Sequence, residues 1–409
     1  MKVLTEFREG VGISWDAIRA NKLRSGLTML GIIIGVATVT LMGATITGLD
    51  RAFLKNISAL GADVFYVQRH NWLTRDLGDW LKQQKRRQIE VADAESLPGQ
   101  LTLAAAVAPM VDDLAPVKYK NRSANDVTVV GTTENYLFTS GVEVAQGRFM
   151  SLIDAAGGRP VCILGDQVAT NLFLREQPLG KKIKIRDDAY EVIGVLEKQG
   201  SILGDSLDNR VIIPLKRYIG LIERNPSLSI VVKANRLVQL DEAREELRSA
   251  MRRVRRLAPG DPDDFAINQQ DQIVGMFHRM TGTVAAIGLF VTGLSLFVGG
   301  IGIMNIMFVS VTERTREIGI RKAIGAKRRT ILLQFLTEAA CICLLGGVIA
   351  LAIACPLTFA MRRWILPAAL SPMIVIAALL VSLVTGVISG FLPAWRAARM
   401  NPVDALRSE

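Results

Sequence analysis

The residues best placed to do chemistry in this chain lie between 313 and 330, in the run ERTREIGIRKAIGAKRRT. Seven basic residues, Arg314, Arg316, Arg321, Lys322, Lys327, Arg328 and Arg329, stand there against two acids, Glu313 and Glu317. Ile318, Ile320, Ala323 and Ile324 cluster on what the spacing predicts to be a short helix, with Gly319 as a break and Gly325 as a C-cap. Charges around a small apolar knob suit insertion into a groove of a partner protein, so the chemistry is recognition. Constellations for catalysis are missing. No GxxxxGKS or GxxxxGKT run offers a phosphate cradle, and GxGxxG appears at no strand-to-helix junction. His70 and His278 have no metal-ligand partner at useful spacing, and neither HExxH nor CxxC occurs. Cys162 is alone in a hydrophilic stretch, whereas Cys341, Cys343 and Cys355 fall in an apolar run, where thiols behave as small apolar groups. Glu338 lies about one turn into that run, where a carboxylate is costly unless paired. Its place predicts a cytoplasmic boundary and a partner arginine in the preceding loop, a structural role favoured over a proton relay.

The elements that hold these residues follow from where the apolar residues are. The 409 residues are half hydrophobic and 21% charged, with a net charge of +11. Residues 25–49, 280–312, 339–361 and 364–395 contain no Asp, Glu, Lys or Arg. Each run exceeds the roughly 20 apolar residues that cross a bilayer core, which excludes a purely soluble enzyme, a coiled-coil or collagen rod and a disordered chain. From 50 to 279 there are 32 Lys and Arg against 30 Asp and Glu, so the basic excess sits beside the spans. A nucleic-acid protein needs a basic face on a folded domain, and no nucleic-acid partner is expected.

The resulting fold class is an α-helical membrane protein with four transmembrane helices and an extracytoplasmic α+β domain inserted between helices 1 and 2. Residues 1–24, with Val3, Leu4, Phe7, Val11, Trp15 and Ile18 at near-helical spacing, read as a cytoplasmic amphipathic helix. The first span, 25–49, is an uncleaved anchor. The external domain is 50–279, and the second span is 280–312. As a helix the latter measures about 50 Å, so it is expected to continue outward as a stalk. A cytoplasmic loop at 313–330, a third span at 331–361, an external loop at 362–371, a fourth span at 372–395 and a tail at 396–409 complete the chain. Lys and Arg favour the cytoplasmic side, which places both termini and the 313–330 loop there; Arg362 and Arg363 fall outside, near the interface.

Within the external segment, β-branched or alternating runs predict strands at 63–68, 127–131, 160–164, 182–185, 190–196, 210–214 and 229–232. Helices fit 92–98 and 237–257. The second of these opens on Gln239 and Asp241 and closes on Arg252, Arg253, Arg255 and Arg256, the order of charge that a helix dipole favours. That basic cluster reads as a solvated helix end, with an anionic partner as the sharper alternative.

The run ERTREIGIRKAIGA, followed by QFLTEA at 334–339, resembles the signature of MacB/FtsX-type ABC transporter permeases. The resemblance extends over nearly the whole chain: NKLRSGLTMLGIIIGVA at 21–37, GRFMSLID at 147–154, PLGKKIKI at 178–185, YEVIGVLEKQGS at 190–201 and PAWRAARMNPVDALR at 393–407 are similar to segments of that family. It implies a bacterial inner-membrane permease that forms a homodimer or pairs with a homologous permease. Such a permease recruits ABC ATPase subunits on the cytoplasmic side and converts ATP-driven closure into movement of the external domain, a process termed mechanotransmission.

By this resemblance 313–326 is the coupling helix, with Glu313, Arg314, Arg316, Glu317, Ile318, Gly319, Arg321 and Lys322 contacting the ATPase. Gly35, Gly43, Gly299, Gly300 and Gly302 are expected to serve close helix packing in the dimer. The chain itself is expected to hold no catalytic residues, metal or cofactor. ATP and Mg would reside on a separate ATPase chain, because no ATPase domain is fused here. A periplasmic adaptor and an outer-membrane channel are further partners that the resemblance allows, and peptides, antibiotics or lipid-like molecules are the expected cargo. The rival reading is a signalling scaffold that activates a cell-envelope hydrolase without transport. The 230-residue external segment fits the exporter type better.

Overall fold

The computed structural model describes residues 22–57, 61–74, 76–174, 176–202, 205–221, 226–364 and 367–407. The amphipathic helix expected over 1–24 therefore lies outside the described residues except for its last three. These form the first turn of α1 (Lys22–Ile57). No acid, lysine or arginine interrupts this helix between 25 and 49. The hydroxyls of Thr38, Thr40 and Thr45 donate to the carbonyls of Ile34, Val36 and Leu41 at 2.7–2.8 Å, so the helix satisfies its own polar side chains.

After α1 the chain folds an α+β unit. Its elements are β1 (Val64–Gln68), α2 (Leu77–Gln84), α3 (Val91–Ser96), β2 (Ala104–Tyr119), β3 (Arg122–Thr132), α4 (Tyr136–Thr139), β4 (Val144–Gly147), α5 (Leu152–Gly157), β5 (Val161–Leu164) and α6 (Asp166–Phe173). They continue with β6 (Lys182–Ile185), β7 (Asp188–Leu196), a hairpin of β8 (Ser201–Ile202) and β9 (Asp205–Ser206), β10 (Arg210–Pro214), α7 (Leu215–Leu221), β11 (Ser229–Ala234), α8 (Leu240–Val254) and β12 (Ala266–Gln269). Four long or linking helices follow: α9 (Gln270–Glu313), α10 (Thr315–Ala323), α11 (Arg328–Trp364) and α12 (Pro372–Arg399), with α13 (Pro402–Arg407) at the end. The helices carrying Met29–Lys55, Gln270–Glu313, Arg328–Trp364 and Pro372–Arg399 are long and apolar enough to cross a membrane.

The chain divides into two compact units, one built from the described residues up to Ala52 together with His278 onward, the other from Phe53–Phe277. In the latter, a mixed sheet runs in the order β12-β1-β11-β2-β3-β10-β5-β7-β4, and β6 pairs with β2 and β7. One face of the sheet buries Phe65, Val107, Val129, Val211 and Ile230 against Leu172, Phe173, Tyr218, Leu247 and Met251 from the covering helices. The other face packs Val130, Ile163 and Ile212 beneath Tyr136, Phe149 and Met150.

All seven strands expected from the sequence are present. The longest strand, β2, is not among them. Its sequence AAAVAPMVDDLAPVKY carries prolines and aspartates that lower strand propensity, and what holds it is pairing on both sides, with β3 and β11. Pro116 sits where the β2–β3 register shifts, the kind of site that tolerates a residue without a ladder N–H.

The basic end of α8 is corrected by the structure. Arg255 is fully buried and uses all five guanidinium donors. Its Nε and Nη2 donate to the two oxygens of Asp264 at 2.7 Å, Nη1 donates to Asp93 at 2.8 Å, and the Gln88 and Arg87 carbonyls accept the remaining bonds. Arg252 donates to Asp263. Half of the cluster is thus an internal clamp, because these acids lie elsewhere in the sequence and only the fold brings them to the helix end.

In the helical unit three of the glycines expected to pack in a dimer, Gly35, Gly299 and Gly300, make close contacts within the chain. A Cβ at Gly299 would lie 3.1 Å from Ile32 N and 3.2 Å from Gly31 C, and one at Gly35 would lie 2.9 Å from Leu296, so α1 and α9 meet at these positions. Gly300 faces Ser389 of α12 and Gly43 faces Ile374, while Gly302 is half-buried. A second seam was not foreseen. Gly386 and Gly390 of α12 lie against Cys343 and Ala339 of α11, and Ser382 Oγ donates to Cys343 O at 2.5 Å. Small residues that let backbones approach are what drives helix association where the solvent is lipid.

Candidate partner-docking site

Helix α10 links the ends of α9 and α11. Thr312 and Thr315 return their hydroxyls to carbonyls of α9, and Arg314 breaks helical geometry between α9 and α10. Contrary to expectation, Gly319 does not interrupt α10. The helix ends instead at Gly325, whose φ of +102° is costly for any side chain. The Gly325 N–H donates to Lys322 O and the Ala326 N–H to Arg321 O, both at 3.0 Å, which is the paired bonding of a Schellman C-cap.

Five residues anchor this helix. Arg314 Nη1 reaches Glu338 Oε1 at 3.5 Å, and Glu338 is only 3% exposed, so the carboxylate has the arginine partner expected for it. Arg321 Nη1 donates to Gln334 Oε1 at 3.0 Å. Lys322 Nζ donates to the carbonyls of Ala398 (2.8 Å) and Met400 (2.5 Å), capping the C-terminal end of α12. Burial, and then the neighbouring Arg328, push the Lys322 ammonium below its usual range. Ile318 is 1% exposed in a cluster with Val311, Ile331, Phe335 and Ala397. Gly319 is buried beneath α13, where a Cβ would come within 2.8 Å of Ala405.

The site residues named from the sequence therefore separate into two groups. Ile318, Gly319 and Lys322 are committed to packing inside the chain, as are the guanidiniums of Arg314 and, at its exposed edge, Arg321. Glu313, Arg316 and Glu317 face outward. The apolar knob is Ile320 and Ile324, 43% and 81% exposed, with Ala323 between them, and Ile318 does not belong to it. The sequence signal that could have separated them is helical phase: Ile320, Ala323 and Ile324 share one side at i, i+3 and i+4, and Ile318 falls off it. The arrangement is a charged, partly apolar ridge on a rigid mount, suited to a complementary groove. Among the described residues no group of His, Cys, Asp and Glu is arranged to hold a metal ion.

Comparison with known proteins decides the family. A model of the MacB-like periplasmic core domain matches residues 25–250, more than half of the chain, and a model of the FtsX-like permease C-terminal region matches 289–402. The chain belongs to the MacB/FtsX-type permease family. Among curated relatives of this permease, the macrolide export ATP-binding/permease protein MacB of Neisseria meningitidis is 33% identical over 99% of this chain and 61% of its own length. The protein of the same name from a Shewanella strain is 35% identical over 96% of this chain and 59% of its own. The permease thus spans about three-fifths of the curated relatives it matches. The solved periplasmic region of MacB from Actinobacillus actinomycetemcomitans matches at 21% identity with a TM-score of 0.45, covering 56% of this chain and 98% of that one.

Proposed function

We propose that this chain is the transmembrane subunit of an ABC-type exporter, which passes ATP-driven movement from an ATPase outside this sequence, through α10, to the α+β unit. The observation that carries the reading is the outward ridge of α10 on its five internal anchors. A docking helix must present charge and a small apolar knob, and it must be tied to what it moves. Arg314 ties α10 to α11 through Glu338, and Lys322 ties it to the end of α12. Force applied at Ile320 and Ile324 would reach both helices without first melting the linker.

On this reading the ridge faces the cytoplasm, as the excess of Lys and Arg in 313–330 favours, and the α+β unit lies on the opposite side. The chain acts without cofactor chemistry of its own; ATP and Mg belong to the ATPase. It works as a dimer, and peptides, antibiotics or lipid-like molecules are its cargo, moved by mechanotransmission. The curated relatives' name joins ATP-binding and permease functions in one protein, which supports an ATPase as the partner class.

The test is ATPase coupling in nanodiscs. Ile320→Glu with Ile324→Glu should retain folding, since both side chains are exposed, and should lower transporter-stimulated ATP hydrolysis at least about tenfold, the size of losing about 1.4 kcal/mol at an interface hot spot. Unchanged stimulation would refute the assignment of the ridge. A chain that binds an envelope hydrolase and moves no cargo while ATP hydrolysis stays coupled would instead establish the scaffold reading.

A further inference from the structure

The α+β unit contains a cleft of about 900 Å³ between α2 and α8, within the size range of small-ligand sites. Its walls include two half-buried guanidiniums, Arg86 and Arg244. Arg252 and Arg255, half-buried and buried at this end of the unit, are matched, the first with Asp263 and the second with Asp93 and Asp264. The more exposed Arg248 also pairs with Asp263. Arg86 and Arg244 differ. Among the described residues neither has a carboxylate within salt-bridge distance. Arg86 Nη1 donates to Arg69 O at 2.9 Å, and Arg244 Nη2 donates to Ile267 O at 3.3 Å, so each uses a single donor of five.

The surroundings of Arg86 show the same deficit. Arg69 Nε and His70 Nδ1 are buried with no hydrogen-bond partner among the described residues. Burial lowers the pKa of Arg86, which Asp264 and Asp263 only partly offset, and burial followed by Arg69 and Arg86 lowers that of His70. A half-buried cation with free donors is costly to leave unpaired, and a planar guanidinium fork is best matched by a carboxylate or phosphate. The rim decides between these. Asp79, Asp241 and Glu245 also line the cleft, and they would repel a dianion while attracting a cation placed beside the bound group.

We infer that the α2–α8 cleft is a binding site for a zwitterionic carboxylate ligand, with the carboxylate held by Arg86 and Arg244 and the cationic end directed to the acidic rim. The carboxylate could come from a small free molecule or from the end of a polypeptide. The inference stands apart from the ATPase reading, because it concerns binding alone.

Isothermal titration of the full chain in nanodiscs tests it with four probes: trialanine, its C-terminal amide, N-acetyl-trialanine and glycine. Trialanine is expected to bind with a Kd of about 1 mM or tighter, and the amide at least about tenfold more weakly, as loss of a charge-assisted pair requires. The acetylated peptide should also weaken, through loss of its cation. Arg86→Gln and Arg244→Gln should each weaken trialanine about tenfold or more. Arg244→Gln guards against misfolding, since that side chain makes a single hydrogen bond and no ion pair among the described residues. Glycine binding as tightly as trialanine would assign the site to small free molecules; glycine binding more weakly would assign it to peptide ends. Equal binding of acid and amide, no trialanine binding at about 10 mM, or wild-type affinity in both arginine variants would each overturn the proposal.

Discussion

Arg255 shows how far one residue's role depends on distant partners. With all five donors used and its two carboxylates brought in from Asp93 and Asp264, removing the guanidinium leaves the buried Asp93 and the half-buried Asp264 without their cation. Arg255→Met is expected to destabilise the protein by about 3–5 kcal/mol in denaturant unfolding, whereas Arg253→Gln, at an exposed neighbour, should change it by less than about 0.5 kcal/mol. Asp154 is a second such residue. Burial alone would raise its pKa, but Arg148 and the Ser151 N–H and hydroxyl hold the carboxyl well below the usual range. A depressed pKa means that the folded state binds the proton less readily than the unfolded one. The stabilisation is therefore complete at neutral pH and is lost as pH falls below about 4 and through the lowered value. Wild type and Asp154→Asn should accordingly converge in stability when unfolding is followed down to pH 2. In the sequence the basic character of 252–256 was legible and its pairing was not, since its acids lie up to 162 residues away. By contrast Glu338 was legible, because a carboxylate in an apolar helix needs a cation nearby and the preceding loop is rich in arginine.

At the scale of elements, the four apolar helices and α10 could be read directly from charge-free runs and from the break that Gly325 imposes. Strand β2 could not, because Ala, Pro and Asp dominate it and its ladder partners decide its conformation. Helix packing was less legible: the sequence marks glycines for close packing in a dimer, whereas the contacts that Gly35, Gly299 and Gly300 make within one chain came only with the fold. Gly299→Leu tests that contact. Its Cβ would already press to 3.1 Å from the α1 backbone and the rest of the leucine side chain has to be fitted beyond it, so a loss of about 1–3 kcal/mol is expected from thermal unfolding in detergent. Gly282→Leu on the same helix meets nothing within 4 Å and should stay within about 0.5 kcal/mol. Equal effects would show that α1 and α9 do not pack through Gly31 and Gly299.

For the molecule as a whole, membrane helices and an α+β unit alternate along the chain because charge and apolar residues are segregated in its sequence, and membership of the MacB/FtsX-type family agrees with that order. Residue type alone does not separate the inward from the outward residues of 313–330, since isoleucine and arginine occur in both groups; helical phase is what sets Ile320 and Ile324 apart from Ile318. The ridge of Ile320 and Ile324 is the central claim. Photo-crosslinking tests it most directly: a photoreactive amino acid at Ile320 or Ile324, and for contrast at Gly282, in the membrane-embedded protein co-expressed with the proposed ATPase. Crosslinks from position 324 to an ATP-binding polypeptide or domain, with none from 282, are the predicted result. An ATPase that co-purifies with the chain yet is never captured from 320 or 324 would contradict the account.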